Sequence, residues 1–202
     1  MHSLSVPAAV LCLAAAMTAQ FTIASTCGGT TQFGISTYPT TTTSSGGSMS
    51  LRSTGAAGTN HLFQSWWYYR VGGDTREYAF NNSATSGFMQ LPATPKNNRR
   101  TLLWTNCDGR GFNASLTYEV YATSATAGVL SEVMTISNPG TTPLTINTFH
   151  YADFDMCGSS SGNGADFSAP PRQLKITGPA TCAAAAFHLG CGWDNYEVKK
   201  PK

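Results

Sequence analysis

The chain has 202 residues, with twelve Lys and Arg against ten Asp and Glu and a formal net charge of +2. Its densest basic runs, Arg99–Arg100 and the terminal "KKPK", are too short to neutralise a row of phosphates, which excludes a nucleic-acid partner. Charged residues are 11% of the chain, against roughly 25% in an average soluble protein. Neutral polar side chains must therefore cover the surface, a usage that favours an exported β protein over a cytosolic enzyme.

Residues 1–24 predict a secretory signal helix. An uncharged apolar stretch runs from Val6 to Ala16, and the small residues after it suit cleavage following Ala16, Ala19 or Ala24. The stretch is shorter than the about 20 apolar residues that span a bilayer. We therefore expect a secreted or cell-surface protein with no stable membrane span once the signal is removed.

Residues 25–47 are rich in Thr, Ser and Gly and contain little to bury. They predict an irregular lead-in, with a short strand possible around residues 32–36. From residue 48 to residue 202, short apolar segments alternate with turn-forming residues and predict one β domain. We expect strands at "SMSLRST", "HLFQSWWYYRV", "REYAF", "TLLWTN", "ASLTYEVYAT", "GVLSEVMTIS", "PLTINTFHYADFD" and "QLKIT".

Side-chain alternation supports this β assignment. In "ASLTYEVYA", Leu116, Tyr118 and Val120 face one way and polar residues face the other, which is the period of a half-buried strand. The segments "LSEVMTIS" and "LTINTFHYA" are expected to form an antiparallel pair, joined by a turn with Gly140 at positive φ. The number and length of the segments predict an all-β fold, an antiparallel β-sandwich of jelly-roll-like or supersandwich-like arrangement.

The segment "HLFQSWWYYRV", residues 61–71, holds five aromatic rings. Large rings fall on both faces of the expected strand, which predicts a strand buried between two covering layers. The alternative is a sugar-stacking platform built from Trp66, Trp67, Tyr68 and Tyr69. An exposed patch of that size would promote aggregation without a partner, so we favour the buried strand.

Three aspartates suggest a loose cation site. Asp153 and Asp155 project to the same side of an expected strand end, and a Gly/Ser loop leads from there to Asp166. Hard oxygen ligands of this kind suit calcium. The alternative is that these aspartates accept backbone N–H groups and pair with Arg70 or Arg76.

Two further patterns point weakly toward hydrolysis. The string "GSSSG" at residues 158–162 matches a nucleophile elbow, but the residues after it cannot start the helix that such an elbow needs, so we expect a flexible loop. Glu132 lies among Leu130, Met134 and Ile136 on an expected inward face. Nothing in the spacing of the carboxylates selects a catalytic pair.

Removal of the signal leaves an odd number of cysteines. Two disulfides and one spare thiol are possible in an oxidising compartment, and the pair Cys182–Cys191 encloses the loop that is easiest to close. The spacing alone does not settle the connectivity. The five cysteines are Cys27, Cys107, Cys157, Cys182 and Cys191.

The segments "NHLFQSWWYYRVGGDTRE" and "LTYEVYATSATAGVLSEVMTISNPGTTPLTINTFHYADFD", with the Gly/Ser loop leading to Asp166, resemble a group of uncharacterised bacterial exported proteins. Many of these end in a PEP-CTERM sorting signal. The resemblance covers roughly residues 48–167 and implies a single β-rich domain on the exported side of the envelope, with no established catalytic activity. The ending "NYEVKKPK" has no Pro-Glu-Pro, membrane segment or terminal Arg cluster, so we expect a simply secreted protein or a chain truncated relative to such proteins.

These observations lead to two expectations about function. The first is a non-enzymatic exported β-sandwich with a structural or adhesive role at the cell exterior. The alternative is a carbohydrate-binding module, calcium-assisted if the three aspartates bind a cation. The expected partners are extracellular polysaccharide or matrix components. If both tryptophans of residues 61–71 prove to be covered, the alternative loses its main support.

Overall fold

The computed structural model describes residues 20–25, 27–93, 96–168 and 173–182, and the backbone of residues 185–189. Within these residues the chain forms strands joined by loops and three short 3-10 turns. The strands are β1 (Phe21–Ser25), β2 (Thr31–Ile35), β3 (Gly47–Arg52), β4 (Gln64–Val71), β5 (Tyr78–Ala79), β6 (Phe88–Gln90), β7 (Arg99–Trp104), β8 (Asn113–Ala122), β9 (Gly128–Ser137), β10 (Ile146–Asp153), β11 (Gly164–Ser168), β12 (Gln173–Thr177) and β13 (Ala185–Leu189). The 3-10 turns are Ala84–Ser86, Cys107–Gly109 and Met156–Gly158.

The strands form three antiparallel sheets. One layer has the order β1-β2-β3-β4-β10, with β5 paired to β4, and the second layer has the order β6-β7-β8-β9. Strands β1 and β2 pack against β8 across the core. A small third sheet contains β11, β12 and β13. The predicted all-β antiparallel sandwich is confirmed, whereas the predicted signal helix falls mainly on residues outside the described part of the chain.

Strand β8 shows how alternation builds the core. Leu116, Tyr118 and Val120 are fully buried, and the residues between them face outward, as predicted. Tyr118 stacks on Phe33 of the opposite layer, with 4.8 Å between ring centroids. Among the residues that the structure describes, no helix is long and apolar enough to cross a bilayer.

The start of the domain lies earlier than predicted. Residues 25–47, expected to form an irregular lead-in, contain β2 where the possible short strand was placed, and its Phe33 and Ile35 are buried in the core. Strand β1 precedes this segment and buries Phe21 and Ile23. The predicted domain start at residue 48 was too late, because two large buried side chains per short strand are enough to join it to the core, even where Thr and Gly dominate the composition.

The expected hairpin between β9 and β10 is also wrong. Strand β9 pairs with β8, and β10 pairs with β4, so residues 138–145 cross from one layer to the other. Asn138 holds the turn, because its Oδ1 accepts the Gly140 N–H and its Nδ2 donates to the carbonyl of Thr142. Gly140 does not have a positive φ. Alternation fixes the face that a strand buries, but it does not choose the neighbouring strand.

Candidate functional site

The ring-rich segment is an interior strand. Trp66 and Tyr69 of β4 are 0% exposed, whereas Trp67 and Tyr68 are half-buried. Trp66 and Tyr69 fall on opposite faces by alternation, so each face of β4 is covered at one of these two positions. The prediction of a buried strand is confirmed for these two rings, and neither can stack on a ligand in solution.

Trp66 lies where β4 changes neighbours. On one side β4 pairs with β3 at Gln64–Ser65 and with β5 at Tyr68–Tyr69. The indole fills the space between these pairings: its Nε1 donates to the carbonyl of Phe80, 2.6 Å away, and a Cβ on Gly47 would lie 2.9 Å from its ring. The ring therefore packs against backbone on both sides.

Tyr69 is held by a buried polar network. Its hydroxyl donates to Asp108 at 2.5 Å, and Asn81 Nδ2 donates to both oxygens of the same carboxylate. The carbonyl of Asn81 accepts the indole N–H of Trp104 at 2.8 Å. Burial and the Asp108 hydrogen bond raise the pKa of Tyr69 far above its usual range. These groups satisfy one another inside the fold.

A second cluster, the inner cluster, joins the two layers. It consists of Ser65 and Trp67 on β4, His150 on β10 and Glu132 on β9. Glu132 Oε2 accepts the indole N–H of Trp67 at 2.9 Å and lies 3.3 Å from His150 Nε2. The rings of Trp67 and His150 lie 4.8 Å apart. The inward orientation predicted for Glu132 is confirmed, since its side chain is only 14% exposed.

The geometry of the inner cluster does not suit nucleophilic catalysis. Ser65 Oγ lies 2.8 Å from His150 Nε2, the same nitrogen that Glu132 approaches. A serine–histidine–acid relay needs the acid on the other ring nitrogen, so that the histidine can pass a proton between them. Ser65 is also 1% exposed, which closes its hydroxyl to a substrate. The cluster works as a polar clamp between layers.

The opposite face of the same two strands carries a different set of side chains. In the β4–β10 register, Tyr68 lies opposite Phe149, and Tyr151 lies opposite Trp66. Tyr68, Phe149 and Tyr151 lie on the outer face, on the same side as the buried Trp66, because the residues between them point to the inner cluster. We name these three rings the outer row. Tyr151 is 46% exposed, and the other two are half-buried.

Polar groups border the outer row at both ends. At one end the Arg70 guanidinium lies 5.0 Å from the centroid of the Phe149 ring and forms an ion pair with Glu77. At the other end Gln64 lies opposite Asp153. Burial and the nearby Asp155 raise the pKa of Asp153. The row is thus an aromatic strip with hydrogen-bonding groups around it.

The outer row carries two phenol hydroxyls, those of Tyr68 and Tyr151. Burial and then the neighbouring Tyr151 hydroxyl raise the pKa of Tyr68. Burial and the Asp153 carboxylate raise the pKa of Tyr151. Both phenols are therefore protonated at neutral pH and available as hydrogen-bond donors.

Of the four predicted stacking residues, only Tyr68 belongs to the outer row. Trp66 and Tyr69 are buried, and Trp67 belongs to the inner cluster. Sequence reasoning missed Phe149 and Tyr151, although they alternate in "FHYAD" as residues of one strand face. What the sequence lacked was the partner of β10, because only the pairing with β4 places these rings beside Tyr68.

The predicted calcium site is not assembled. Within the described part of the chain, no group of three or more His, Cys, Asp or Glu could hold a metal ion. Asp153 and Asp155 are near neighbours, but Asp166 lies in the third sheet opposite Lys175. The aspartates are close in sequence, but the chain passes from β10 to a different sheet before it reaches Asp166. Arg70, a predicted partner of these aspartates, pairs with Glu77 instead.

The disulfide differs from the pairing that the sequence spacing favoured. Cys182 bonds to Cys157, 25 residues earlier, and Cys191 lies outside the described residues. The N–H of Cys157 donates to His61 Nδ1 at 3.1 Å. Burial and the charge of Arg52 lower the pKa of His61, which keeps this nitrogen free to accept. Choosing the cysteine pair with the shortest loop gave the wrong partner for Cys182, because a turn after β10 brings Cys157 to the third sheet.

The string "GSSSG" forms the loop that was predicted. It follows the 3-10 turn Met156–Gly158, and Ser159 Oγ donates to the carbonyl of Ser161 at 2.9 Å. The chain then enters β11, so no helix follows to direct N–H groups at an oxyanion. Ser160 therefore lacks the setting of a nucleophile elbow.

Comparison with known proteins gives no identity. No protein-family model matches the chain, and neither a curated protein nor a solved structure matches it. The resemblance to bacterial exported proteins stays a prediction. The function is inferred from the chemistry of the chain's own side chains.

Proposed function

We propose that the chain is an exported, non-enzymatic β-sandwich with a structural or adhesive role at the cell exterior. The observation that carries this proposal is the difference between the two faces of the β4–β10 pair. On the inner face, Ser65 and His150 form one closed cluster with Glu132 of β9, where they stabilise the fold. The outer face presents aromatic side chains to solvent.

Two properties support an exterior location. The Cys157–Cys182 disulfide is a bond that persists in oxidising compartments and is rare in the cytosol. The low charged fraction leaves a surface of hydroxyls and amides, which suits contact with hydroxyl-rich polymers. Extracellular polysaccharide and matrix components are the partners that this surface would meet.

Fractionation of a native host that produces the full chain tests the proposal. We expect the protein on the cell surface, in the matrix or in the culture fluid, with Cys157 and Cys182 oxidised. A His150→Gln variant that still folds should show the same distribution and retention, because His150 acts within the fold. Recovery in the cytoplasm with reduced cysteines would contradict the proposal.

The second candidate is a carbohydrate-binding module, and the outer row is the observation that favours it. The candidate stacking residues differ from those predicted from the sequence, because Trp66 and Tyr69 are buried. Tyr68 remains, now beside Phe149 and Tyr151. No calcium is needed for stacking of this kind, so a chelator should leave such binding unchanged.

A further inference from the structure

We infer that the outer row, Tyr68, Phe149 and Tyr151, is a binding strip for a neutral polysaccharide chain, on which sugar rings stack. This inference rests on the proposed adhesive function and names the ligand class that the exposed face would take. Four properties of the strip support it: the spacing of the rings, their exposure, the polar groups beside them and the charge of the strip.

The spacing of the three rings suits a polymer. Tyr68 and Phe149 are directly opposite in the register, so their Cβ atoms lie about 4.5–5.5 Å apart. Tyr151 is two residues further along β10, about 7 Å away at the rise of a β-strand. The three rings therefore form a short strip along the strands, long enough to contact consecutive units of a polymer.

The three rings are partly exposed to solvent. Tyr151 is 46% exposed, and Tyr68 and Phe149 are half-buried, so each ring has a fixed base and a free part. The strip is too small for a stable protein interface, which buries at least about 1,000 Å² in total. A slender polymer needs much less area at each point of contact.

Hydrogen-bonding groups lie on and beside the strip. The Tyr68 and Tyr151 hydroxyls are protonated donors, and Asn147, Gln64 and Asp153 border the strip on the same face. A sugar ring presents an apolar C–H face and a rim of hydroxyls. Aromatic faces with donors and acceptors beside them match both parts of such a ligand.

The charges around the strip favour a neutral ligand. The one cation bordering the strip, within the described residues of the β4–β10 face, is Arg70, and its guanidinium is already paired with Glu77. Asp153 and Asp155 lie at the other end. An anionic polymer would meet carboxylates without an unpaired cation to offset them, so the strip favours a neutral polysaccharide.

Binding of soluble polysaccharides to the purified full chain tests the inference. The probes are dextran, mannan and a soluble β-glucan, with polygalacturonate as the anionic comparison, each with and without chelator. We expect at least one neutral polymer to bind and polygalacturonate to bind more weakly. Binding of polygalacturonate alone, or of no polymer, would overturn the inference.

Matched tyrosine variants identify the site. Tyr151→Ala should weaken binding by about tenfold, the loss expected for one aromatic contact. Tyr121→Ala is the control, because Tyr121 is a similarly exposed tyrosine, 44%, on the outer face of the other layer. Equal losses in both variants would overturn the assignment. Thermal unfolding of each variant shows that the fold is retained.

Two outcomes separate this inference from the proposed function. A protein that is retained outside the cell while Tyr151→Ala binds every polymer like the wild type contradicts the strip but not the adhesive role. Dimerisation that depends on concentration and is lost in Tyr151→Ala would show that the strip binds a second copy of the chain. That result would also overturn the polysaccharide assignment.

Discussion

At the scale of single residues, Gly47 is the position where a missing side chain makes room for a tryptophan. A Cβ at this position would lie 2.8 Å from the Thr37 carbonyl oxygen and 2.9 Å from Trp66 Cε3. Trp66 cannot move away, because it is fully buried and its Nε1 is bonded to the carbonyl of Phe80. The close approach of β3 to the indole therefore requires glycine here.

Gly47→Ala should lower the free energy of unfolding by about 1–3 kcal/mol, the usual cost of overpacking a core. Gly73→Ala is the control, since a Cβ there meets nothing within 4 Å. Urea unfolding measures both variants. A loss for Gly73→Ala equal to that for Gly47→Ala would contradict this account of Trp66.

Cys107 gives the fold a dependence on alkaline pH. Burial, and then the Asp108 carboxylate, raise the pKa of the Cys107 thiol to about 12. An unfolded thiol ionises near pH 8.5, so the unfolded state loses its proton first as the pH rises. The stability linked to this thiol is fully present below about pH 8.5 and declines between that pH and about 12.

The free energy of unfolding should therefore fall between pH 8 and pH 11, and Cys107→Ala should show a smaller fall. The comparison is made with each protein against its own value at pH 8, which removes the effect of the lost side-chain volume. In the native wild type at pH 8, a thiol reagent should modify the exposed Cys27 and leave Cys107 unmodified. An identical decline in both proteins would show that Cys107 is not responsible.

At the scale of elements, strand β1 discriminates between the predicted cleavage sites of the proposed secretory signal. Phe21 and Ile23 are buried, and Phe21 contacts Phe33, with ring centroids 6.1 Å apart. Cleavage after Ala24 would remove four of the five residues of β1. Cleavage after Ala16 or Ala19 keeps the strand and its core contacts.

If the chain is exported as proposed, we therefore predict that the mature protein begins at or before Phe21. Intact mass and N-terminal sequencing of the exported protein measure this directly. A chain that begins at Ser25 and still unfolds cooperatively would contradict the role of β1 in the core. A truncated variant produced from Ser25 onward should expose apolar surface on β2 and β8 and bind a hydrophobic dye.

The disulfide acts on the third sheet as an element. It joins the turn after β10 to the segment after β12, and it closes a loop of 25 residues. Loop closure of this length stabilises the folded state by about 3 kcal/mol on the chain-entropy estimate. We expect the stabilisation by the disulfide to be largest in those parts of the third sheet that have few other contacts with the two layers.

The Cys157→Ser, Cys182→Ser double variant should lose about 3 kcal/mol in the free energy of unfolding. Amide hydrogens of β11 and β12 should exchange faster, whereas those of β7 and β8 should be unchanged. Cys27→Ser, at an exposed thiol, is the control. Uniform acceleration across both layers would contradict a local role for the bond.

Strands with clear signals were predictable, and their neighbours were not. The alternation in β8 and the apolar run of β4 predicted buried faces that the structure confirms. Strand β1 went unrecognised, and β2 was named only as a possible short strand, because each is five residues long and rich in small polar residues. The outer row was out of reach because it depends on the pairing of β10 with β4, a contact between distant segments.

At the scale of the whole molecule, one pair of strands serves both the fold and the proposed function. The inner face of β4 and β10 ties the two layers together through the Glu132 cluster. The outer face of the same pair carries the partly exposed rings. Because its base is fixed by the core, the outer row is rigid before any ligand arrives, which lowers the entropic cost of binding.

Hydroxyl-radical footprinting of the purified chain, read by mass spectrometry, tests the assignment of interior and exposed rings most directly. We predict that Trp66 and Trp104, both 0% exposed, stay unmodified in the native protein while Tyr151 and Tyr121 are modified. Addition of a neutral polysaccharide that binds should protect Tyr151 and leave Tyr121 unchanged. Modification of Trp66 in the native protein at the level of Tyr151 would contradict the interior position of the tryptophan strand and the account built on it.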